Sequence, residues 1–244
     1  MKKLFFIILI GSSMQQLALA DTRMTIKDPD NEKITSWSND KYFRTTIPKD
    51  EESPMSEGDM LADLRSKKTY MINDKEKVIV NISQSEMPFA NLRNNTDVEK
   101  VKIDFKNKGS DKKIAGLSTI KYHIYVQGEK CFEILMTKNK NYGDVMRKLD
   151  SLQEAENNSN ADNICEQAEN QMDLDKLAKH GYPVKKTDSK GIVQFELLEF
   201  KTGIKAPKNY LAFPKGYKVK SMMEMIKEAM SKQMLKQFGQ SNPE

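Results

Sequence analysis

The chain has 244 residues and a mass of 28.0 kDa, with 38% hydrophobic residues, 31% charged residues and a mean hydropathy of −0.69. This composition excludes a protein with many membrane spans, a collagen-like chain and a fully disordered chain. The net charge of +5 falls to +3 once Lys2 and Lys3 are removed with the leader described next, and so small a surplus gives no reason to expect nucleic-acid binding.

The N-terminus has the three parts of a secretory signal peptide. Two lysines follow the first residue, residues 4–11 are apolar, and small residues precede a cut between Ala20 and Asp21. The apolar run is much shorter than the roughly 20 residues of a membrane span, which argues against an uncleaved anchor. We therefore expect residues 1–20 to be a signal peptide. Residues 21–244 are then a single exported domain, periplasmic or secreted, that does not span the membrane.

Short β-forming runs separated by polar turns fill the first third of the mature chain. Residues 24–26 predict a strand, and residues 34–37 and 42–47 predict a hairpin. Residues 48–58 contain prolines and acids and predict an exposed loop. Three further runs within residues 60–82 predict an antiparallel meander.

The clearest strand pattern lies in residues 114–136, after a charged stretch around Gly109 that we expect to be a turn. Alternate residues are apolar, as in a strand with one buried face. One predicted face carries Ile120, Tyr122, Ile124 and Val126, and the other carries Thr119, Lys121, His123 and Tyr125. On the next strand Phe132, Ile134 and Met136 are expected to oppose Cys131, Glu133 and Leu135. The sequence thus predicts a long hairpin.

Helical spacing of apolar residues appears three times in the second half. A first helix begins near Tyr142 with Asn141 as its expected N-cap, and a second covers about residues 162–180. After a last hairpin over residues 182–200, a terminal amphipathic helix covers about 219–237. Its stripe consists of Met222, Met223, Ile226, Met230, Met234 and Phe238. We expect this stripe to be a core face; an adjustable lid over an open sheet is the alternative.

The order of many strands, then helices, then a closing hairpin predicts an α+β fold. Cys131 and Cys165 are the only cysteines, and both lie in the mature part. In an oxidising compartment such a pair tends to form a disulfide, although two separate buried thiols are the alternative.

No phosphate-binding loop, zinc spacing or serine-nucleophile motif occurs in the sequence, and the acids at positions 28, 30 and 32 lack the glycine of a calcium loop. His123 is expected near the surface of a strand, and His180 at the end of a helix. We therefore expect no metal, no cofactor and no catalytic residues, and a protein that is not an enzyme.

Three segments carry a resemblance to a known family. They are residues 63–77, residues 114–126, and residues 181–184 together with 213–217. Over roughly residues 58–225 the chain is similar to an uncharacterised family of bacterial exported proteins, whose fold is related to the LolA-like half-barrels of periplasmic lipoprotein carriers. The resemblance implies a curved, largely antiparallel sheet packed against helices, with an apolar cavity. It carries over no activity.

A half-barrel cavity would bind an apolar ligand such as a lipid, an acyl chain or a lipoprotein. We expect its lining to include Trp37, Phe43, Tyr70, Ile72, Tyr122, Ile124 and Phe132. The alternative is a protein-interaction or assembly factor of the cell envelope, in which the same residues are plain core and no ligand is bound.

Overall fold

The computed structural model of the chain describes residues 20–47, 58–83, 100–152, 163–172 and 174–239. Several predicted features lie outside these residues. They are the signal peptide up to residue 19, nearly all of the loop over residues 48–58, and the side chains of Met234 and Phe238 in the terminal stripe.

The described strands form one sheet of twelve. Their bounds are β1 Asp21–Lys27, β2 Lys33–Ser38, β3 Tyr42–Ile47, β4 Gly58–Asp63, β5 Lys68–Asn73, β6 Val78–Asn81, β7 Ile103–Ile114, β8 Leu117–Val126, β9 Glu129–Thr137, β10 Tyr182–Asp188, β11 Val193–Ile204 and β12 Lys218–Ser221. The order across the sheet is β12-β6-β5-β4-β3-β2-β1-β11-β10-β9-β8-β7. All neighbours are antiparallel except β12 and β6, which are parallel.

This sheet is curved and does not close, since β12 and β7 are its two ends. The predicted hairpins and the meander of β4, β5 and β6 are confirmed, because the strands of each pair are antiparallel and are joined by a short turn. The helices are α1 Lys140–Asp150, α2 Ile164–Gln171, α3 Leu174–Ala178 and α4 Met222–Gly239. Within the described part, no helix is both long and apolar enough to cross a membrane.

The cap of α1 differs from the prediction. Asn139, not Asn141, precedes the helix, and its Oδ1 accepts a hydrogen bond from the backbone N–H of Tyr142 at 3.0 Å. Both asparagines are good N-cap residues, so the sequence alone did not distinguish them. Tyr142 is buried, and its hydroxyl donates to the carbonyl oxygen of Pro183.

The predicted helix over residues 162–180 is two short helices. Its continuity breaks at Met172, whose backbone is extended. The Nζ of Lys176 donates to the carbonyl oxygen of Gln171 at 2.7 Å, which satisfies a group exposed by the break. Asn163 caps α2, because its Oδ1 accepts hydrogen bonds from the backbone N–H groups of Cys165 and Glu166.

The charged stretch around Gly109 is not a turn but the middle of β7. The pairing of β7 with β8 shifts between Asn107 and Ser110, and Gly109 takes a φ of +91° there. Asn107 accepts a hydrogen bond from the N–H of Gly109 at 2.7 Å. A bulge of this kind lets a strand continue through glycine and polar residues that otherwise indicate a turn.

A second bulge changes the face assigned to Cys131. The pairing of β8 with β9 shifts between Ile124 and Tyr125, so Cys131 is the extra residue on β9. It packs in the same cluster as Tyr122 and Phe132 rather than on the opposite face.

Three clusters form the core. The first lies between β8, β9 and the helices α2 and α3, the second joins α1 to β1, β9, β10 and β11, and the third lies on β4, β5 and β6. Leu135 belongs to the second cluster while Ile134 and Met136 belong to the first, so β9 is buried on both faces.

The C-terminal region departs most from expectation. The strand β12 was not predicted, because Lys-Val-Lys-Ser has little apolar character; it is held by parallel pairing with β6. In α4 the predicted core stripe is wrong for Met223, Ile226 and Met230, which are 43%, 38% and 54% exposed. A short strand at the sheet's end leaves little surface for a helix to cover.

Candidate functional site: an aromatic–arginine surface

The register of β1 to β5 places arginine and aromatic side chains in one row. Arg23 pairs with Trp37, Trp37 with Arg44, Arg44 with Leu61, and Leu61 with Tyr70. Residues that face one another on neighbouring strands point to the same side of a sheet. The row therefore lies on one face, with Leu61 buried in its middle.

The segment of residues 205–217, which connects β11 to β12, contacts this face with its own aromatic rings. Tyr210 packs edge-on against Trp37 with ring centroids 6.4 Å apart. Phe213 packs edge-on against Tyr70 and Tyr42, at 4.8 Å and 5.8 Å. Such pairs favour this geometry because the positive edge of one ring meets the negative face of the other.

We name this site the aromatic–arginine surface. It consists of Trp37, Tyr42, Arg44, Tyr70, Tyr210 and Phe213. All five of its aromatic residues are half-buried. Arg44 lies beneath the aromatic rings and is 7% exposed.

Arg44 connects the sheet to the segment above it. Its guanidinium forms an ion pair with Asp59 at 2.6 Å and donates to the backbone carbonyl of Tyr210 at 2.9 Å. The guanidinium carbon also lies 4.4 Å from the centroid of the Tyr210 ring. A buried charge of this kind is tolerated only with such partners, so Arg44 fixes the position of Tyr210.

Tyr210 and the neighbouring Arg23 both have polar partners on this face. Burial raises the pKa of Tyr210, and a hydrogen bond at 3.3 Å between its hydroxyl and that of Thr46 acts in the opposite direction. The hydroxyl therefore stays protonated at neutral pH. Arg23 pairs with Glu199 at 2.5 Å and lies 5.5 Å from the Trp37 ring.

The structure divides the seven predicted lining residues among three places. Trp37 and Tyr70 belong to the aromatic–arginine surface, and Ile72 is fully buried beneath it. Phe43 is buried and lies on the opposite face of β3, because its sequence neighbours Tyr42 and Arg44 lie on this one. The remaining three, Tyr122, Ile124 and Phe132, pack in the cluster beneath α2 and α3.

Four members of the surface were not singled out from the sequence: Tyr42, Arg44, Tyr210 and Phe213. Phe213 lies in one of the segments that carry the family resemblance, which was a usable signal. No pattern in the sequence singled out Tyr210 or Arg44, because their contact depends on how residues 205–217 return over the sheet.

A second polar cluster lies on β7, β8 and β9. Lys121 contacts Asp111 at 2.7 Å and Glu133 at 3.4 Å, and Glu133 contacts His123 at 3.1 Å. The hydrogen bond from Lys121 lowers the pKa of Asp111, whereas burial lowers that of His123. These charges offset one another across strands, as on a solvated sheet face.

A groove of about 460 Å³ near the edge of this cluster is lined mainly by small polar side chains, including Ser110, Thr119 and Asn139. Among the residues that the structure describes, no three acids, histidines or cysteines converge to hold a metal ion.

Cys131 on β9 and Cys165 on α2 have their Sγ atoms at disulfide-bonding distance, with Cα atoms 5.3 Å apart. The pair ties α2 to the sheet, next to an ion pair between Lys186 on β10 and Glu169 on α2.

Comparisons with known proteins give weak structural similarity. No protein-family model matches the chain, and no curated protein gives a significant match. A crystal structure of PNGF-II aligns with a TM-score of 0.38 and 12% identity, over 85% of this chain and 32% of that one. MucB aligns with a TM-score of 0.38 and 8% identity, over 82% of this chain and 59% of MucB. The Pseudomonas aeruginosa MucA/MucB complex aligns with a TM-score of 0.38 and 9% identity, over 82% and 58%. The chain thus spans about a third of PNGF-II and under two thirds of MucB.

Proposed function

We propose that the chain is an exported bacterial envelope protein that binds another polypeptide through the aromatic–arginine surface. The observation that carries this proposal is the grouping of half-buried tryptophan and tyrosine rings around Arg44 on one sheet face. Tryptophan, tyrosine and arginine are the residues that contribute most to binding at protein interfaces, because they combine a large apolar area with a polar group.

Export is supported by two independent features. The leader pattern before Asp21 is that of a secretory signal. The disulfide-distance pair of Cys131 and Cys165 fits an oxidising compartment.

A lipid or acyl chain in a half-barrel cavity is the second candidate. An acyl ligand needs a continuous apolar enclosure. The predicted lining residues instead lie in three places, and Arg44 and the Tyr210 hydroxyl interrupt the aromatic face with polar groups. The geometry therefore favours a polypeptide, whose backbone and side chains can pair with such groups.

Affinity capture of the tagged full-length protein from its own cell envelope tests the proposal. We expect the wild-type protein to recover one polypeptide in a fixed ratio, and Trp37→Ala to lose it. Tyr125→Ala is the matched control. Like Trp37, Tyr125 is half-buried and has a cation over its ring, since the Nζ of Lys106 lies 4.0 Å from the ring centroid. Tyr125 lies on β8, near the other end of the sheet.

Equal recovery by wild type and Trp37→Ala would contradict the proposal. Native mass spectrometry of the same preparations decides the second candidate. A bound lipid of constant mass that is present in the wild type and absent from Trp37→Ala would show that the ligand of this surface is apolar and is not a polypeptide.

A further inference from the structure

The positive charge of the chain is concentrated at its C-terminus. Residues 205–244 contain eight lysines and three glutamates and therefore carry a net charge of +5, which equals the net charge of the whole chain. The preceding residues 1–204 are thus neutral overall. A charge asymmetry of this size points to an anionic partner for this end of the molecule.

The same region carries most of the large apolar side chains that are exposed in the described residues. Six large hydrophobic side chains are exposed in the part of the chain that the structure describes, and four of them lie between residues 219 and 230. They are Val219 at 70%, Met223 at 43%, Ile226 at 38% and Met230 at 54%. Exposed apolar groups that cluster in this way indicate an interaction site rather than chance exposure.

Polar residues occupy a different side of the helix. Glu224, Lys227, Glu228 and Ser231 follow i, i+3, i+4, i+7 spacing and form a polar stripe. The exposed side chains of Met223, Ile226 and Met230 lie on another side of the helix from this polar stripe. The first three turns of α4 therefore separate apolar from polar side chains, with Lys227 at the border.

The start of α4 is fixed to the sheet. The N–H of Ser221 donates to Glu224 at 2.6 Å, and the N–H of Glu224 donates to the hydroxyl of Ser221 at 3.2 Å, which is a capping box. Lys220 pairs with Glu228 at 2.6 Å. Glu224 and Glu228 therefore both have partners within the protein, whereas Met223 and Met230 are exposed to solvent.

We infer that α4 binds an anionic lipid bilayer, lying in its surface with Met223, Ile226 and Met230 inserted among the acyl chains. When an apolar stripe inserts among the acyl chains, the lysines beside it lie at the level of the lipid phosphates and form ion pairs with them. A nucleic acid would use the charge but leave the apolar stripe exposed. The apolar stripe of α4 shares no residue with the aromatic–arginine surface, and the inference does not depend on the function proposed for that surface.

Co-sedimentation of the full mature chain with vesicles tests this inference. We expect binding to vesicles of phosphatidylglycerol and phosphatidylcholine in equal parts, and binding at least about a hundredfold weaker to pure phosphatidylcholine. The triple variant Met223→Ser/Ile226→Ser/Met230→Ser should weaken binding to the mixed vesicles by about tenfold or more. Lys215→Gln/Lys218→Gln/Lys227→Gln should weaken it by about a hundredfold, or roughly fivefold for each lysine.

Matched controls separate this site from general surface effects. Ile192→Ser/Leu198→Ser removes the two other exposed apolar side chains, which are 53% and 39% exposed, and should leave binding unchanged. Lys102→Gln/Lys112→Gln/Lys113→Gln removes the same charge from the region of β7 and should have an effect of twofold or less. Circular dichroism checks that each variant is folded.

Three results would overturn the inference: no binding to mixed vesicles, equal binding to neutral vesicles, or equal losses in the control variants. Binding of duplex DNA that the methionine variant leaves unchanged, with no vesicle binding, would assign the charge to nucleic acid instead. Trp37→Ala should bind vesicles like the wild type, so failure of the polypeptide proposal is distinguishable.

Discussion

The ring of Phe213 meets the ring of Tyr70 edge-on, with centroids 4.8 Å apart. Phe213 lies in the segment between β11 and β12, and Tyr70 lies on β5. Their contact holds residues 205–217 on the face of the first half of the sheet and places Tyr210 over Arg44. The aromatic–arginine surface therefore forms only when the C-terminal region has docked on the N-terminal strands.

Phe213→Ala should release this segment. We expect a loss of about 2 kcal/mol in the free energy of unfolding, below the usual cost for a fully buried phenylalanine because Phe213 is half-buried. Hydrogen exchange should become faster in residues 205–217. Phe105→Ala is the control, since Phe105 is also half-buried but stacks on His180. If exchange in residues 205–217 is the same in both variants, the contact does not hold the segment.

Arg44→Met should destabilise the protein by about 3–5 kcal/mol in urea unfolding, because it leaves the Asp59 carboxylate poorly solvated and without its partner. Arg65→Met is the matched control. Arg65 is 66% exposed and lies 3.6 Å from Asp40, so we expect a loss of less than about 1 kcal/mol. Equal effects of the two substitutions would show that the burial of Arg44 is irrelevant to stability.

The disulfide-distance pair should make stability sensitive to reduction. A bridge across the sequence separation of 34 residues between Cys131 and Cys165 stabilises by about 3–4 kcal/mol in the chain-entropy model. We expect added reductant to lower the free energy of unfolding of the wild type by this amount. The variant Cys131→Ala/Cys165→Ala should be equally destabilised and insensitive to reductant. Two alkylatable thiols in the untreated protein would refute the bridge.

Acidification should destabilise the fold through its histidines. Burial lowers the pKa of His180 below its ordinary value of 6.5, and Lys138 and Lys179 lower it further; burial and Lys130 act likewise on His123. The unfolded chain therefore takes up protons first as the pH falls through 6.5, and stability falls until the native histidines also titrate.

His180→Phe keeps the ring that packs on Phe105 and Tyr122 but cannot titrate. Urea unfolding between neutral pH and about pH 5 should show a smaller loss for this variant than for the wild type. A wild type that gains stability on acidification over this interval would contradict the prediction.

Local patterns in the sequence predicted most of the strands. Alternation of apolar residues identified β8 and β9, and polar turns separated β4, β5 and β6 correctly. The failures arose where tertiary context decides the backbone. Gly109 and its polar neighbours belong to a strand because a bulge keeps β7 paired to β8. The strand β12 has almost no intrinsic signal, and β6 imposes its conformation.

The candidate site was predicted only in part for a similar reason. Aromatic residues on β-forming runs drew attention to Trp37 and Tyr70, but strand spacing does not reveal which strands become neighbours. In the sheet order, β1, β11 and β10 separate β2 from β9. Phe132 packs in the cluster beneath α2 and α3, whereas Trp37 packs against Tyr210. The return of residues 205–217 over the sheet, which completes the site, depends on contacts with strands β2, β3 and β5, which are distant in the sequence.

Site-specific photo-crosslinking in intact cells tests the proposed binding of a polypeptide by the aromatic–arginine surface most directly. A photoreactive residue at Thr46, an exposed position whose hydroxyl is 3.3 Å from that of Tyr210, should yield one discrete crosslinked polypeptide. The same residue at Lys112, which is exposed on β7, should not yield it. Trp37→Ala should abolish the Thr46 product. Identical products from both positions, or a Thr46 product that persists in Trp37→Ala, would contradict the assignment of this surface.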